Sequence, residues 1–306
     1  MAESRDERAL TSEPVTIAAV IARLAGVATV ELLREDLELR LGAEGVARLE
    51  QRFVHAADRL ALDDFERAVL AAVALRELSP RLGAALGRLA PAGPGGAATP
   101  RAVARLLAPP GVSLADVLFA LAPGERLRCH GAVRLSPAPD GSALPDRSVV
   151  LAGRLTALLL GAAIDGPARG GRLRRVAPAS LPFEHTGVVE RIAGLIEQDG
   201  GPPLAVLGPD AALAVAGAAG RGLVCVAGAE LADPYLARDA VLAAALEERV
   251  LVVDRLAGLE AADRELLPAR LARARGAVLC LDGPSELTAL EHVRTTAVAV
   301  PRVARA

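Results

Sequence analysis

The sequence predicts a mainly α N-terminal region followed by an α/β domain built on a five-stranded parallel sheet. Three observations carry that prediction. Up to about residue 164, apolar residues recur at helical spacing and are punctuated by capping signals. From about residue 204, short continuous apolar runs alternate with helical segments, as expected of strands whose two faces are both covered by helices. Between them, residues 165–180 (DGPARGGRLRRVAPAS) are rich in Gly, Pro and Arg and read as a linker. A chain of 306 residues is long enough to bury two such cores.

Composition narrows the function classes. Hydrophobic residues make up 52% of the chain but aromatics only 2%, so the cores must be built from Leu, Val and Ala. All 35 basic residues are arginine, and a formal net charge of −2 argues against long-range steering toward nucleic acid or an anionic membrane. Cys129, Cys225 and Cys280 lack C-x-x-C spacing and fit reduced, mostly buried thiols rather than a disulfide framework or a zinc site. The stretch MAESRDERALTSEP is charged and holds no apolar segment, so it does not read as a signal peptide. Arg154 and Asp210 interrupt the most apolar windows short of the roughly 18–20 residues that cross a bilayer. A cytoplasmic protein is expected.

Taken in order, residues 1–14 are expected as a disordered tail. Residues 15–58 form a helical segment, with Ile17, Val20, Ile21 and Leu24 at helical spacing. In 59–164, Asp63 with Glu66 makes a capping-box pattern, and Phe65, Val69, Leu70 and Val73 follow as an apolar stripe. That helix ends near Ser79-Pro80, and a second runs toward Leu89. Thr99-Pro100 starts a third and Ser113 with Asp116 a fourth. The apolar runs Gly131–Leu135 and Ser148–Leu151 bracket the turn-rich SPAPDGSALPD and predict a hairpin with a long loop. Short helices closed by such a hairpin describe a winged-helix-like domain. In 181–306 a helix over 187–198 leads into strands at 204–207, 222–227, 249–253, 277–281 and 296–300. Helices at 210–219, 235–247, 260–274 and 284–291 separate them.

The stretch Leu204 to Leu223 (LAVLGPDAALAVAGAAGRGL) reads as a strand, a turn at Gly208-Pro209 and a small-residue helix. A phosphate-cradling P-loop occupies such a place, and it needs G-x-x-x-x-G-K-[ST]. The glycines let backbone N–H groups surround the phosphates, lysine supplies charge and the hydroxyl holds magnesium. Counting from Gly208, Leu213 stands at the second glycine, Ala214 at the lysine and Val215 at the hydroxyl. The chain contains no lysine at all.

On FERAVLAAVALRELSPRLGAAL, the LAVLGPD turn, LVVD at 251–254 and AVLCLD at 277–282, the chain resembles prokaryotic AAA-family ATPases with a winged-helix-like region ahead of the core. The resemblance implies an AAA-type P-loop domain with ATP and magnesium at Gly208, Pro209, Asp210 and Asp254. It also implies a water-activating glutamate where Arg255 stands, a polar sensor at Asp282, and a helical lid that has no counterpart before Ala306. A charged hydrogen bond contributes about 1.5–3 kcal/mol, so losing the lysine and the hydroxyl removes about 3–6 kcal/mol. A micromolar site, near −8 kcal/mol, would fall to about millimolar. The expectation is a degenerate core with no catalytic residue, metal ligand or bound cofactor. It would be a non-catalytic assembly module that docks protein partners or further copies of itself. Two alternatives stand beside it: a weakly active ATPase using Asp254, and a winged-helix DNA-binding regulator.

Blander readings of the same residues remain open. Gly208-Pro209 is either a tight turn or a residual anion site at a helix N-terminus, where Asp210 would repel the anion. Asp254 and Arg255 are most simply a surface ion pair. His55, His130, His185 and His292 have no partner at ligand spacing and read as structural or exposed, and Glu247-Glu248 reads as a solvated helix end. Arg101 and Arg105 share a helix face and, with Arg126, Arg128, Arg169, Arg172, Arg174 and Arg175, could form a basic patch on DNA phosphates. On net charge, nucleic acid is not the expected partner.

Overall fold

The computed structural model describes residues 15–90, 98–108, 111–137, 143–162, 172–177, 186–197, 203–208, 210–256, 259–260, 267, 271, 274, 276–282, 284–288, 290 and 295–300. The chain divides into two compact units. One runs to Arg128 and takes in Ala132–Ile164; the other holds Cys129–Gly131 and the chain from Asp165 on.

The first unit is built from α1 (Ile17–Ala22), α2 (Val30–Leu41), α3 (Ala43–Arg59), α4 (Asp64–Leu78), α5 (Pro80–Arg88), α6 (Pro100–Leu107), α7 (Leu114–Ala120), α8 (Arg126–Cys129) and α9 (Gly153–Leu160). A two-stranded antiparallel hairpin, β1 (Val133–Leu135) and β2 (Val149–Leu151), completes it, with Val133 opposite Leu151. The Val149 N–H also donates to the Ala98 carbonyl, 2.7 Å away, which adds a rung beside β2.

Helix α4 is the centre of this unit. Every residue from Ala68 to Leu75 is buried, as befits a helix apolar on all sides. Its start is fixed by the predicted capping box: Asp63 accepts from the Glu66 N–H, and Glu66 accepts from the Asp63 N–H. Its end meets Ser79, fully buried, whose hydroxyl caps α5 and donates to the carboxylate of Asp36 on α2. Glu50 on α3 reaches back to accept the Ile17 and Ala18 N–H groups at 2.9 and 2.6 Å, capping α1 from 33 residues away. Polar groups thus satisfy helix ends that local sequence leaves open.

Glu66 carries a testable pH signature. Burial pushes its carboxyl above the ordinary value of 4.5, against the pull of the Asp63 N–H and of Arg126, whose guanidinium lies 3.0 Å away. The folded state therefore binds the proton more tightly than the unfolded one. Stability should rise as pH falls from neutral through the folded pKa toward the unfolded value. Followed by far-UV circular dichroism, the unfolding free energy of the wild type is expected to gain on that of Glu66→Gln as the medium is acidified. A gap that is flat, or that moves the other way, contradicts this account.

The second unit holds a six-stranded sheet. It comprises β3 (Arg174–Val176), β4 (Leu204–Leu207), β5 (Leu223–Ala227), β6 (Val250–Asp254), β7 (Val278–Leu281) and β8 (Thr296–Ala299) in the order β3-β5-β6-β7-β4-β8. Five strands are parallel, and β3 is an antiparallel edge strand paired with β5. The expected all-parallel sheet of five is therefore a mixed sheet of six. The added strand comes from the stretch read as a linker, because a three-residue strand with two arginines gives no apolar signal.

Helices α10 (Thr186–Ile196), α11 (Ala211–Ala218), α12 (Pro234–Leu246) and α13 (Pro284–Thr288) cover the sheet. On one face α10 and α11 pack on Leu204, Val206, Cys225, Val252, Cys280 and Val298. On the other, α12 with Leu259, Leu267, Leu271 and Leu290 packs on Ala205, Val226, Val253 and Leu279. Most of the helix expected over 260–274 lies outside the described residues. No described helix is long and apolar enough to cross a membrane.

Candidate functional site

The connection leaving β4 runs over the α11 face, while that leaving its neighbour β7 runs over the α13 face. Adjacent parallel strands whose connections depart to opposite faces leave a crevice at their carboxyl ends, where ligands bind in open α/β sheets. Gly208 closes β4 and Asp282 follows β7 at this point, with Asp254 ending the next strand, β6.

Gly208 has φ +131°, and a Cβ there would sit 2.7 Å from the Val300 carbonyl oxygen. Only glycine lets the chain turn so close to the strand edge. Its N–H donates to the Leu281 carbonyl at 2.9 Å, and its own carbonyl accepts from Ala211 at 3.1 Å. The turn is therefore closed on itself, and the Gly208 N–H is not aimed at a phosphate. Asp210 occupies the N-cap position of α11 without capping it by its side chain. Pro209 lies outside the described residues. Ala214 and Val215, at the lysine and hydroxyl positions, are buried against the sheet.

At the end of β6, Asp254 faces two arginines, Arg174 at 3.7 Å from β3 and Arg255 at 3.9 Å. Arg255 adopts φ +56°, and its backbone is held at both ends. Its N–H donates to the Cys280 carbonyl at 3.0 Å, and its carbonyl accepts from Gly228 at 3.0 Å. Glu286 on α13 completes the closure. Its carboxylate accepts from the Leu256 N–H at 3.2 Å and the Asp282 N–H at 2.8 Å. A side-chain anion of the chain itself thus engages the backbone donors beyond β6 and β7. Nothing in the sequence singled out Glu286, since one of its partners lies 30 residues away.

Beneath this surface lie the thiols of Cys225 and Cys280. Burial raises both, with Arg174 opposing the shift at Cys225 and Asp254 adding to it at each; the Cys280 thiol is pushed far up, chiefly by burial, with Asp254 and Cys225 contributing. Such thiols stay protonated and unreactive. None of the three cysteines is in a disulfide. Among the described residues no three His, Cys, Asp or Glu side chains gather as a metal site.

The other expected residues are dispersed or already engaged. Arg101 makes a two-pronged pair with Asp146, at 2.7 and 3.1 Å, which holds that carboxyl below its usual range. Arg105 donates to the Leu89 carbonyl, and Arg126 is tied to Glu66. Helix α7 bears Asp116 and the half-exposed Phe119 and has no arginine, while the one-turn α8 that precedes the hairpin carries Arg126 and Arg128. Glu247 is not a solvated end: it is buried between Arg175, at 2.8 Å to each oxygen, and Arg249 at 3.2 Å. His130 is buried and His55 exposed; His185, His292 and Arg169 lie outside the described residues.

Compared with known proteins, residues 3–166 match the family described as winged helix domain, variant. No curated protein matches the chain.

Proposed function

The chain belongs to the variant winged helix domain family, and from that premise we propose that it is a non-catalytic interaction module. In this reading the winged-helix region is joined to an AAA-type nucleotide-binding fold that has lost its phosphate chemistry. Protein partners or further copies are its ligands, and any ATP hydrolysis takes place elsewhere. It needs no cofactor.

The observation that carries the reading is the internal closure of the crevice. The Gly208 N–H is taken by Leu281, Glu286 takes the donors beyond β6 and β7, and no lysine exists to offset phosphate charge. The parallel strand order, with β4 between β7 and β8, supports the nucleotide-fold ancestry. Against an active site at Asp254 stand its two arginine neighbours and the replacement of the water-positioning carboxylate by Arg255. The DNA-binding alternative gains no support from Arg101 and Arg105, which are spent within the domain. The experiment is phosphate release from Mg-ATP. The wild type and Asp254→Ala should both match buffer, and turnover that disappears in Asp254→Ala would overturn the proposal.

A further inference from the structure

Among the described residues, helix α2 carries the two most exposed of the large apolar side chains, Leu39 at 88% and Leu32 at 54%. They lie seven residues apart, two turns on one face, while Leu33 and Leu37 hold the opposite side of the helix to the core. Scattered exposed leucines are ordinary, but two aligned on one helix face offer a second helix a pair of apolar anchors.

The charges beside the pair say what that helix carries. Going round α2 from the leucines, Glu35, Glu31 and Glu38 come next, all exposed, before Arg34 is reached. On the other flank Arg40 is already paired with the buried Asp36 at 3.4 Å. One border of the pair is thus a row of three glutamates. A second copy laid antiparallel would set its own glutamate row against this one, which like-charge repulsion disfavours.

We infer that the α2 face of Leu32 and Leu39 docks an amphipathic helix of another protein that bears apolar residues on one face and arginine or lysine beside them. The inference rests on the interaction-module reading and gives that module a surface. Apolar anchors supply the affinity, and the glutamate row sets orientation and rejects acidic helices.

The test titrates the full chain with a labelled helical peptide carrying leucine on one face and arginine along its edge, and with the same peptide bearing glutamate in place of arginine. The arginine peptide should bind and the glutamate peptide should not. Leu32→Ser with Leu39→Ser should weaken binding about tenfold. Glu31→Gln with Glu35→Gln and Glu38→Gln should weaken it and flatten its salt dependence. All these positions are exposed, so the variants should keep the wild-type circular dichroism and melting temperature. Equal binding of both peptides, or an unchanged affinity in the folded Leu32→Ser, Leu39→Ser variant, overturns the inference. So does self-association of the wild type that this variant abolishes, since the occupant would then be a second copy. ATP turnover would end the non-catalytic reading without altering the peptide result, and a failed peptide titration would leave that reading in place.

Discussion

Glu247→Ala is expected to cost the second unit about 3 kcal/mol or more, because it removes the buried carboxylate that two arginines share. Glu247 sits just past α12 with its side chain 5% exposed; Arg175 of β3 grips both oxygens and Arg249 adds a third contact. The pair spans 72 residues and fixes the antiparallel edge strand to the end of the helix before β6. Removing the carboxylate takes that anion from Arg175, 18% exposed, and from Arg249, 28% exposed. A joint replacement, Glu247→Leu with Arg175→Leu, should cost less, since only the more exposed Arg249 then loses its anion. The chain has one tyrosine and no tryptophan, so the fluorescence of Tyr235 reports unfolding of this unit alone. A urea midpoint shift worth under about 1 kcal/mol in Glu247→Ala would refute the expectation.

Gly228→Ala should cost about 2–4 kcal/mol, combining overpacking with a lost backbone hydrogen bond. A Cβ there would lie 2.1 Å from the Arg255 carbonyl oxygen and 2.9 Å from the Leu256 Cα. Both obstacles are backbone, so no rotamer change relieves them. Arg255, which carries the nearer of them, is already in the left-handed region, held there by the Gly228 and Cys280 hydrogen bonds. The substitution must therefore push Arg255 away from β6 and loosen the crevice at its floor. Amide exchange of Leu256, whose N–H is bonded to Glu286, should accelerate with the loss of stability. An unchanged urea midpoint with unchanged exchange would show that the β5 and β6 loops are not packed this closely.

The parallel strands were legible because burial on both faces removes the polar alternation. LVCVA and VLVVD become β5 and β6 within a residue or two of their expected ends. The capping signals at Asp63, Thr99 and Ser113 mark helix starts for the same local reason. What stayed hidden depends on distant partners. RRV is a strand only because β5 offers it an edge and Glu247 an anion. The closure of the crevice by Glu286 needs β6 and β7 already side by side. The lack of lysine, by contrast, was plain from the sequence.

Isothermal titration of the full chain with Mg-ATP tests the central claim most directly. With the ammonium and hydroxyl contacts missing and the Gly208 N–H already bonded, no heat of binding is expected below about 100 µM nucleotide. Saturable one-site binding tighter than that, abolished in Asp254→Ala, would contradict a crevice closed by the chain's own groups.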